Sequence, residues 1–455
     1  MKHVIILCST ILLMGCSIYK PYVRPDIKLE TNALYGRNVE IEDTASIAIL
    51  PWTKLFTDSM LQKLIREGLE YNTDLKIACL RVKEAEATLL SSRFAYLPSV
   101  SFTPQGGISS YDRAKTAKTY TLASSAEWEI DLFGKLTNAK RGARAALESS
   151  VAYRQAVQTQ LIATIANSYY NLLMLDRQLD ISYRTADSWA EVLRTYEVKM
   201  KVGEATEAAI AQAKAGKLSV DASILTLRKQ IRTLENSLSA LLGSVPRQIE
   251  RSTLEEQQFP DTLAIGVPLQ LLERRPDVRQ AEQVLAQAFY VTNTARSAFY
   301  PSITLSGSAG WTNNTGMLIV NPGSWLLNAL GSLTQPLFNR GKNIANLRIA
   351  KAQQEEAILS FRQSLLKAGN EVNDALMQWQ TANTRLEIIG EQVVTLQSAV
   401  DNTRKLMEHS NNSTYLEVLT AQQSFLQAQL TEVSDKFDKI QGVINLYHAL
   451  GGGVE

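Results

Sequence analysis

The amino-acid sequence contains one architectural unit twice, with the two copies about 200 residues apart. Residues 72–102 and 275–305 align without a gap, and each segment has an Asp near its start and a Pro-Ser step near its end. Each copy continues with a strand-like stretch, a Leu-Phe pair and a Gly-Lys step. A duplication on this scale constrains the fold before any local pattern is considered. It predicts that one structural unit, made of a helix, a hairpin and two further helices, occurs twice in the chain.

The N-terminus has the pattern of a bacterial lipoprotein signal. Lys2 precedes an apolar stretch at residues 4–14, which is too short to cross a bilayer as a transmembrane helix. The stretch ends in Leu-Met-Gly-Cys16. This predicts cleavage before Cys16 and attachment of fatty acyl chains such as palmitate, several of which give a stable anchor in lipid. The alternative is an ordinary secretory signal in which Cys16 occurs by chance.

Composition argues against several functional classes. The net charge of +2 gives no strong field that would attract nucleic acid. Once Cys8 leaves with the signal and Cys16 carries lipid, Cys79 is the remaining thiol, and we expect it to be packed and inert. Three histidines and one cysteine cannot build a metal site at the spacing seen here. No nucleotide-binding, zinc-protease or serine-hydrolase motif occurs, so we expect neither an enzyme nor a cofactor.

Long proline-free stretches carry helical patterns. No proline lies between Pro104 and Pro246 or after Pro336, as very long helices require. Over residues 358–400 apolar side chains recur in alternating steps of three and four. This 3.5-residue period predicts left-handed supercoiling against neighbouring helices. A helix over residues 136–200 would be roughly 100 Å long and would have to pack laterally to be stable.

Four segments of about ten residues have strand character. They cover residues 99–108, 122–132, 303–312 and 325–334. Two of them alternate cleanly between apolar and polar side chains, with an aromatic residue near one end, which is typical of a transmembrane β-barrel. The alternative is a pair of soluble hairpins packed on the helices. Glu127, Glu129 and Asp131 disfavour it, because carboxylates that share one face prefer a water-filled lumen.

Four strands cannot close a barrel, and open sheet edges cannot lie in lipid, so several chains must share one barrel. Two chains would give eight strands with a largely filled interior, whereas three give twelve and leave a pore. The sequence therefore predicts a mixed, mainly α fold. Its parts are a trimeric α-barrel of long coiled-coil helices, a shared 12-stranded transmembrane β-barrel with four strands per chain, and an equatorial belt.

The expected domain order follows the duplication. Proline-rich segments flank the two repeats and are expected to form the belt. The boundaries are a signal peptide at 1–15, a lipid-anchored tether and belt at 16–57, a first repeat at 58–243 with a hairpin at about 99–132, a linker and belt at 244–274, and a second repeat at 275–451 with a hairpin at about 302–337.

Four longer motifs follow one another in the second half of the chain. They are LLERRPDVRQAE at 271–282, AFYPSITLSG at 298–307, QPLFNRGK at 335–342 and ALGGG at 449–453. With these motifs the mature chain resembles the outer membrane factor (TolC-like) family, and the Cys16 lipobox is similar to its lipoprotein branch. The resemblance implies a homotrimer in the outer membrane with helices extending into the periplasm. It also implies passive export of small molecules passed on by an inner-membrane RND-type transporter and a periplasmic adaptor (membrane fusion) protein.

The resemblance also indicates candidate site residues at the two helix–helix turns. Val202, Gly203 and Glu204 match the family's first turn and are candidates for the adaptor contact. Asn411 and Asn412 lie in the second turn, which lacks the glycine that is usual there. The family narrows its tube with side chains, often aspartate, about three turns before the second turn, and Asp401 lies in that window. The alternative for Asp401 is a solvated carboxylate on the helix surface.

Two functional interpretations from different classes remain at this stage. The first is a passive exit duct, and the second is a lipid-anchored periplasmic coiled-coil scaffold without a pore. The amphipathic hairpins favour the duct, because a scaffold has no use for them.

Overall fold

The computed structural model describes residues 19–25, 47–110, 116–257, 259, 274–313, 324–409 and 415–454. Over these residues the chain forms eight α-helices and four β-strands. The helices are α1 (Trp52–Leu55), α2 (Ser59–Tyr71), α3 (Thr73–Phe94), α4 (Lys135–Lys201), α5 (Glu207–Leu241), α6 (Pro276–Ser297), α7 (Lys342–His409) and α8 (Tyr415–Ala449). The strands are β1 (Ser99–Ser109), β2 (Ala117–Ile130), β3 (Ser302–Asn313) and β4 (Ser324–Thr334).

The chain divides into two compact units, each built from parts of both repeats. The sheet unit contains Leu80–Ala152 and Arg279–Gln363, with the described residues 19–25. The helical unit contains Tyr153–Val278 and Ser364–Glu455, with the described residues 47–79. The boundaries of the sequence repeats therefore differ from those of the compact units, because equivalent parts of the two repeats pack together.

The four strands form one antiparallel sheet in the order β1-β2-β3-β4. Glu127 in β2 lies opposite Ser99 in β1 and Ser306 in β3, and Trp311 in β3 lies opposite Trp325 in β4. Pro104 lies in β1, an edge strand, where the missing N–H does not interrupt a central ladder. All four strands were predicted, two from clean alternation and two as their partners, and the largest difference is that β2 begins at Ala117 rather than at residue 122.

The main hydrophobic core of the helical unit joins α2, α4, α5, α7 and α8. Its largest fully buried side chains include Phe56, Ile165 and Tyr170. Burial of an aliphatic or aromatic side chain contributes about 1.5–3 kcal/mol. This lateral packing stabilises helices that could not persist alone in water.

The predicted heptad face of α7 is confirmed. Phe361, Ala368 and Val372 on that face are 2%, 0% and 0% exposed. Towards the C-terminal end of the helix, Ile389 and Val393 on the same face are half-buried. Apolar residues of α7 that do not belong to the heptad face, such as Ile388, are exposed in the single chain.

The Arg-Pro-Asp motif at the start of α6 organises the end of the helical unit. The Arg275 guanidinium, 3% exposed as a residue, donates to both carboxylate oxygens of Asp277 at 2.9 and 2.7 Å. It also donates to Glu371 in α7 at 2.6 Å and to the Ala449 carbonyl oxygen at the end of α8 at 2.8 Å. Burial alone would raise the pKa of Asp277, but the hydrogen bonds and charge of Arg275 lower it. The motif thus ties the first residues of the second repeat to its last helix.

One sequence expectation is wrong. Cys79 was expected to be packed, but it is exposed in the chain. Leu75 and Ala78 turn inward on α3, and Cys79 follows Ala78 by one residue, about 100° around the helix. The rotation of α3 about its axis therefore places the thiol on the outer face.

No α-helix among the residues that the structure describes combines the length and apolarity needed to cross a membrane.

Candidate functional site

The β-sheet has one apolar face. The register aligns even-numbered residues of β1 and β2 with odd-numbered residues of β3 and β4, and these positions give a continuous surface without charge over its middle. Its members are Val100, Phe102, Pro104, Leu122, Ala126, Trp128, Ile130, Ile303, Leu305, Ala309, Trp311, Trp325, Leu327, Ala329 and Leu333. Leu327 is 83% exposed and Leu333 is 69% exposed in the single chain. An exposed apolar face of this extent matches the lipid-facing side of an outer-membrane strand.

Hydroxyl side chains dominate the opposite face of the sheet. Ser101 and Ser125 form a cross-strand hydrogen bond at 2.8 Å, and Thr121 and Thr312 form another at 3.2 Å. The same face forms a concavity of about 290 Å³, lined in part by Ser306 and by Asn328. The sheet thus curves with its polar side inward, as the wall of a water-filled lumen requires.

Aromatic side chains mark both ends of the apolar face. Trp311 and Trp325 pack with their ring centroids 4.9 Å apart at one end. At the other end Trp128 Nε1 donates to the Tyr96 carbonyl oxygen at 2.9 Å. Along β3 the apolar side chains run from Ile303 to Trp311, about 27 Å at 3.4 Å per residue. Strands of outer-membrane barrels tilt by about 40°, so this length corresponds to a height of about 21 Å, comparable to their apolar band of about 25 Å.

The N-terminal residues 19–25 pack on α6 of the sheet unit rather than lying free. The Tyr22 backbone N–H donates to Tyr290 Oη at 3.3 Å. The Arg24 guanidinium forms a bidentate pair with Glu282, one of whose bonds is 2.8 Å long. Burial, with the nearby charge of Glu282, raises the pKa of Tyr22 to about 12. The Pro-containing composition of this stretch indicated a tether but gave no sign of where it docks.

The first helix–helix turn is built around Gly203. Its φ of +78° is a left-handed conformation that other residues rarely adopt, and a Cβ at this position would meet no atom within 4 Å. The Glu204 N–H donates to the Lys199 carbonyl oxygen at 2.9 Å, and the Gly203 N–H donates to Met200 at 3.1 Å, which is the Schellman pattern. Thr206 then caps α5 by accepting from the Ala209 N–H at 3.2 Å.

The same turn exposes an apolar patch that the sequence motif did not reveal. Val202 is 69% exposed, Val198 62% and Met200 46%. Apolar residues clustered at the tip of an otherwise polar hairpin would have been the available signal. Exposed apolar patches are typical of surfaces that contact another protein.

Asp401 lies on α7, eight residues before the helix ends at His409. Its side chain is exposed, and its Oδ1 accepts from Gln397 Nε2 at 3.0 Å. Within the described part of the chain it makes no ion pair. Arg404, three residues further along α7, donates to Glu191 on α4 at 2.7 Å. This basic side chain thus links α7 to α4.

Three of the predicted site residues lie outside the described residues. They are Cys16, Asn411 and Asn412. Among the residues that the structure describes, no three His, Cys, Asp or Glu side chains come together in a group that could hold a metal ion.

Comparison with known proteins identifies the family. A sequence profile described as "Outer membrane efflux protein" matches residues 64–244 and 267–452. The chain is 28% identical to the cation efflux system protein CusC of Escherichia coli (strain K12) over 449 residues, which cover 98% of each protein. It is 29% identical to the probable outer membrane lipoprotein SilC of Salmonella typhimurium over 454 residues, covering 98% of this chain and 97% of SilC.

A solved structure has the same fold. The open state of the MtrE outer membrane channel of Neisseria gonorrhoeae superposes with a TM-score of 0.86 at 26% identity, covering 97% of this chain and 99% of MtrE. The long helices and the four-stranded sheet are thus those of the TolC-like outer-membrane channels, and the comparisons support the channel rather than the scaffold. The chain belongs to the outer membrane efflux protein family and is an outer-membrane efflux channel.

Proposed function

We propose that three copies of this chain assemble into the exit duct of a tripartite efflux system, through which small molecules pass without energy input. The observation that carries the proposal is the four-stranded sheet with one apolar face, one polar concave face and two outer strands, β1 and β4, each of which has one edge unpaired among the described residues. Unpaired strand edges cannot face lipid. Three sheets joined β4 to β1 remove every edge and give twelve strands around a pore.

The partners follow from the geometry of the helical hairpins. The exposed patch of Val198, Met200 and Val202 around the Gly203 turn supports docking of a periplasmic adaptor protein at this tip. Asn411 and Asn412 complete the contact from the second turn. An inner-membrane transporter of the RND type delivers the cargo to the adaptor, and the duct supplies only the path across the outer membrane. Cys16 carries the acyl chains that add a lipid anchor.

The periplasmic end of the tube is closed at rest by a ring of three Asp401 carboxylates. Exposure of Asp401, with Gln397 as its hydrogen-bond partner and no ion pair in the described residues, supports this role. Like charges in a narrow aqueous neck attract cations and repel anions. Their mutual repulsion also makes the closed state sensitive to the charge at this position.

Planar-bilayer recording of the purified protein tests the function and the ring together. The parent should conduct weakly with cation preference and should be blocked by trivalent cations. Asp401→Ala should lower the cation preference, weaken the block and raise or destabilise the resting conductance. Asp374→Ala is the matched control, because Asp374 is an exposed carboxylate on the same helix 27 residues earlier.

The outcomes separate the two parts of the proposal. Absence of channels from the parent protein would reject the duct. Channels whose selectivity and block are unchanged by Asp401→Ala would place the constriction elsewhere and leave the duct standing.

A further inference from the structure

Three carboxylates lie close together near one end of the sheet. Glu127 and Glu129 belong to the polar face of β2, and Asp131 follows the strand immediately. Most positions on this face of the sheet hold Ser, Thr, Asn or Gln, so a charged side chain is unusual there. A carboxylate adds net negative charge to the lumen only if no positively charged group or helix N-terminus lies beside it.

Two of the three carboxylates have structural partners. Lys135 Nζ donates to both oxygens of Glu129, at 2.7 and 3.1 Å. Asp131 accepts from the backbone N–H groups of Leu136 and Thr137, at 3.0 and 2.7 Å, at the start of α4. A carboxylate at a helix N-terminus satisfies free donors and interacts favourably with the helix dipole. These two charges are therefore locally compensated.

Among the residues that the structure describes, the Glu127 carboxylate has no such partner. Its register neighbours are Ser99 and Ser306, and Ser99 Oγ donates to the backbone carbonyl oxygen of Glu127, not to its carboxylate. Its side chain is exposed and helps to line the 290 Å³ concavity of the polar face. In the described strands the register places no Lys or Arg on the polar face. Glu127 is thus the uncompensated charge on this face.

We infer that Glu127 is a second selectivity element, located inside the β-barrel and separate from the tube's periplasmic end. The inference rests on the proposed trimer, which places three Glu127 carboxylates in one ring around the lumen. The ring faces water lined by hydroxyl groups, and each chain adds one net negative charge at this level. It favours passage of cationic cargo, such as metal cations or protonated amines, over anions of similar size.

The range of this field sets the conditions for a test. The Debye length is about 30 Å at 0.01 M salt and about 3 Å at 1 M. A ring of charges on the wall of a wide pore therefore acts across the lumen only at low salt. The contribution of Glu127 to cation preference should be large at 10 mM salt and vanish at 1 M.

The experiment measures reversal potentials of the full-length trimer in planar bilayers under salt gradients centred near 10 mM. Glu127→Gln should lower the cation-to-anion permeability ratio towards one, and Glu127→Lys should invert it in favour of anions. The same changes in an Asp401→Ala background isolate the barrel from the periplasmic constriction. The matched control is the double variant Glu129→Gln/Lys135→Gln, which removes a neutral pair and should keep the parent's ratio.

The possible results are distinct. A parent that forms channels, with variants of Glu127 that keep the parent's ratio at 10 mM in both backgrounds, overturns the inference and leaves the duct intact. A double variant that changes the ratio as much as Glu127→Gln also overturns it, because the effect would not be specific to the unpaired charge. A parent that forms no channel rejects the trimeric duct and the ring with it. Light scattering confirms that each variant remains assembled.

Discussion

Helix α8 lies close against helix α7 at Gly442. A Cβ added there would lie 2.9 Å from the backbone nitrogen of Trp379, 3.0 Å from its Cα and 3.0 Å from its Cβ. Non-bonded carbon atoms prefer about 3.5–4.0 Å, so the two helices would have to separate by about 0.5–1 Å. Because the clashing atoms belong to a helix backbone, no rotation of a side chain relieves them.

We therefore expect Gly442→Ala to destabilise the protein. Replacing glycine by alanine in a helix interior gains about 1 kcal/mol of helix propensity. Overpacking costs about 1–3 kcal/mol, so the net change in the free energy of unfolding is a loss of up to about 2 kcal/mol per chain. The control is Gly390→Ala in α7, where a Cβ would meet nothing within 4 Å. That change keeps the propensity gain without the clash.

Guanidinium unfolding of the detergent-solubilised protein, followed by far-UV circular dichroism, measures the difference. The Gly390→Ala variant should be more stable than the parent, and the Gly442→Ala variant less stable. Equal stabilisation by both alanines would show that α7 and α8 do not pack this closely and would refute the reasoning.

Two further predictions concern the anchor and the response to acid. Cys16→Ala should abolish incorporation of a fatty-acid analogue, and equal labelling of variant and parent would contradict the lipobox. Burial alone would raise the pKa of Asp58, but hydrogen bonds from Ser252, Tyr169 and the Met60 N–H lower it below its ordinary value of 3.8. The ionised group therefore stabilises the fold above that ordinary value, and the stabilisation is lost as the pH falls through the lower, folded value. Asp58→Asn should cost about 1.5–3 kcal/mol at pH 7 in denaturant unfolding and progressively less towards pH 3; a cost independent of pH would contradict this origin.

Local periodicity was sufficient to predict the architecture of this chain. Alternation with a period of two located β2 and β3, because one face meets lipid and the other meets water, and β1 and β4 were expected as their partner strands. The 3.5-residue period located the buried face of α7, since each heptad position repeats the same environment. The duplication then limited the number of ways in which these elements could be arranged.

Contacts between distant elements could not be predicted in the same way. The pairing of Arg404 with Glu191 depends on the axial register of α4 and α7, which no local pattern records. The close approach at Gly442 depends in the same way on the axial register of α7 and α8. The exposure of Cys79 depends on the rotation of α3 about its own axis, because a step of one residue turns a side chain by about 100°. Each of these quantities is set by packing over the whole unit.

For the candidate site, the motifs located the first turn but not its chemistry. The sequence placed Gly203 in a turn, and the structure adds the left-handed φ and the exposed patch of Val198, Met200 and Val202. Glu127, Glu129 and Asp131 are equivalent in the sequence pattern. Only the positions of Lys135 and of the first turn of α4 distinguish the one uncompensated carboxylate from the two that are paired.

The mass of the detergent-extracted protein tests the central claim most directly. Each chain is 50.4 kDa, so three chains sharing one barrel amount to about 150 kDa of protein. Light scattering with refractive-index correction for lipid and detergent should give this value after mild extraction. A mass of one chain under those conditions would leave the outer edges of β1 and β4 unpaired and would contradict the shared barrel.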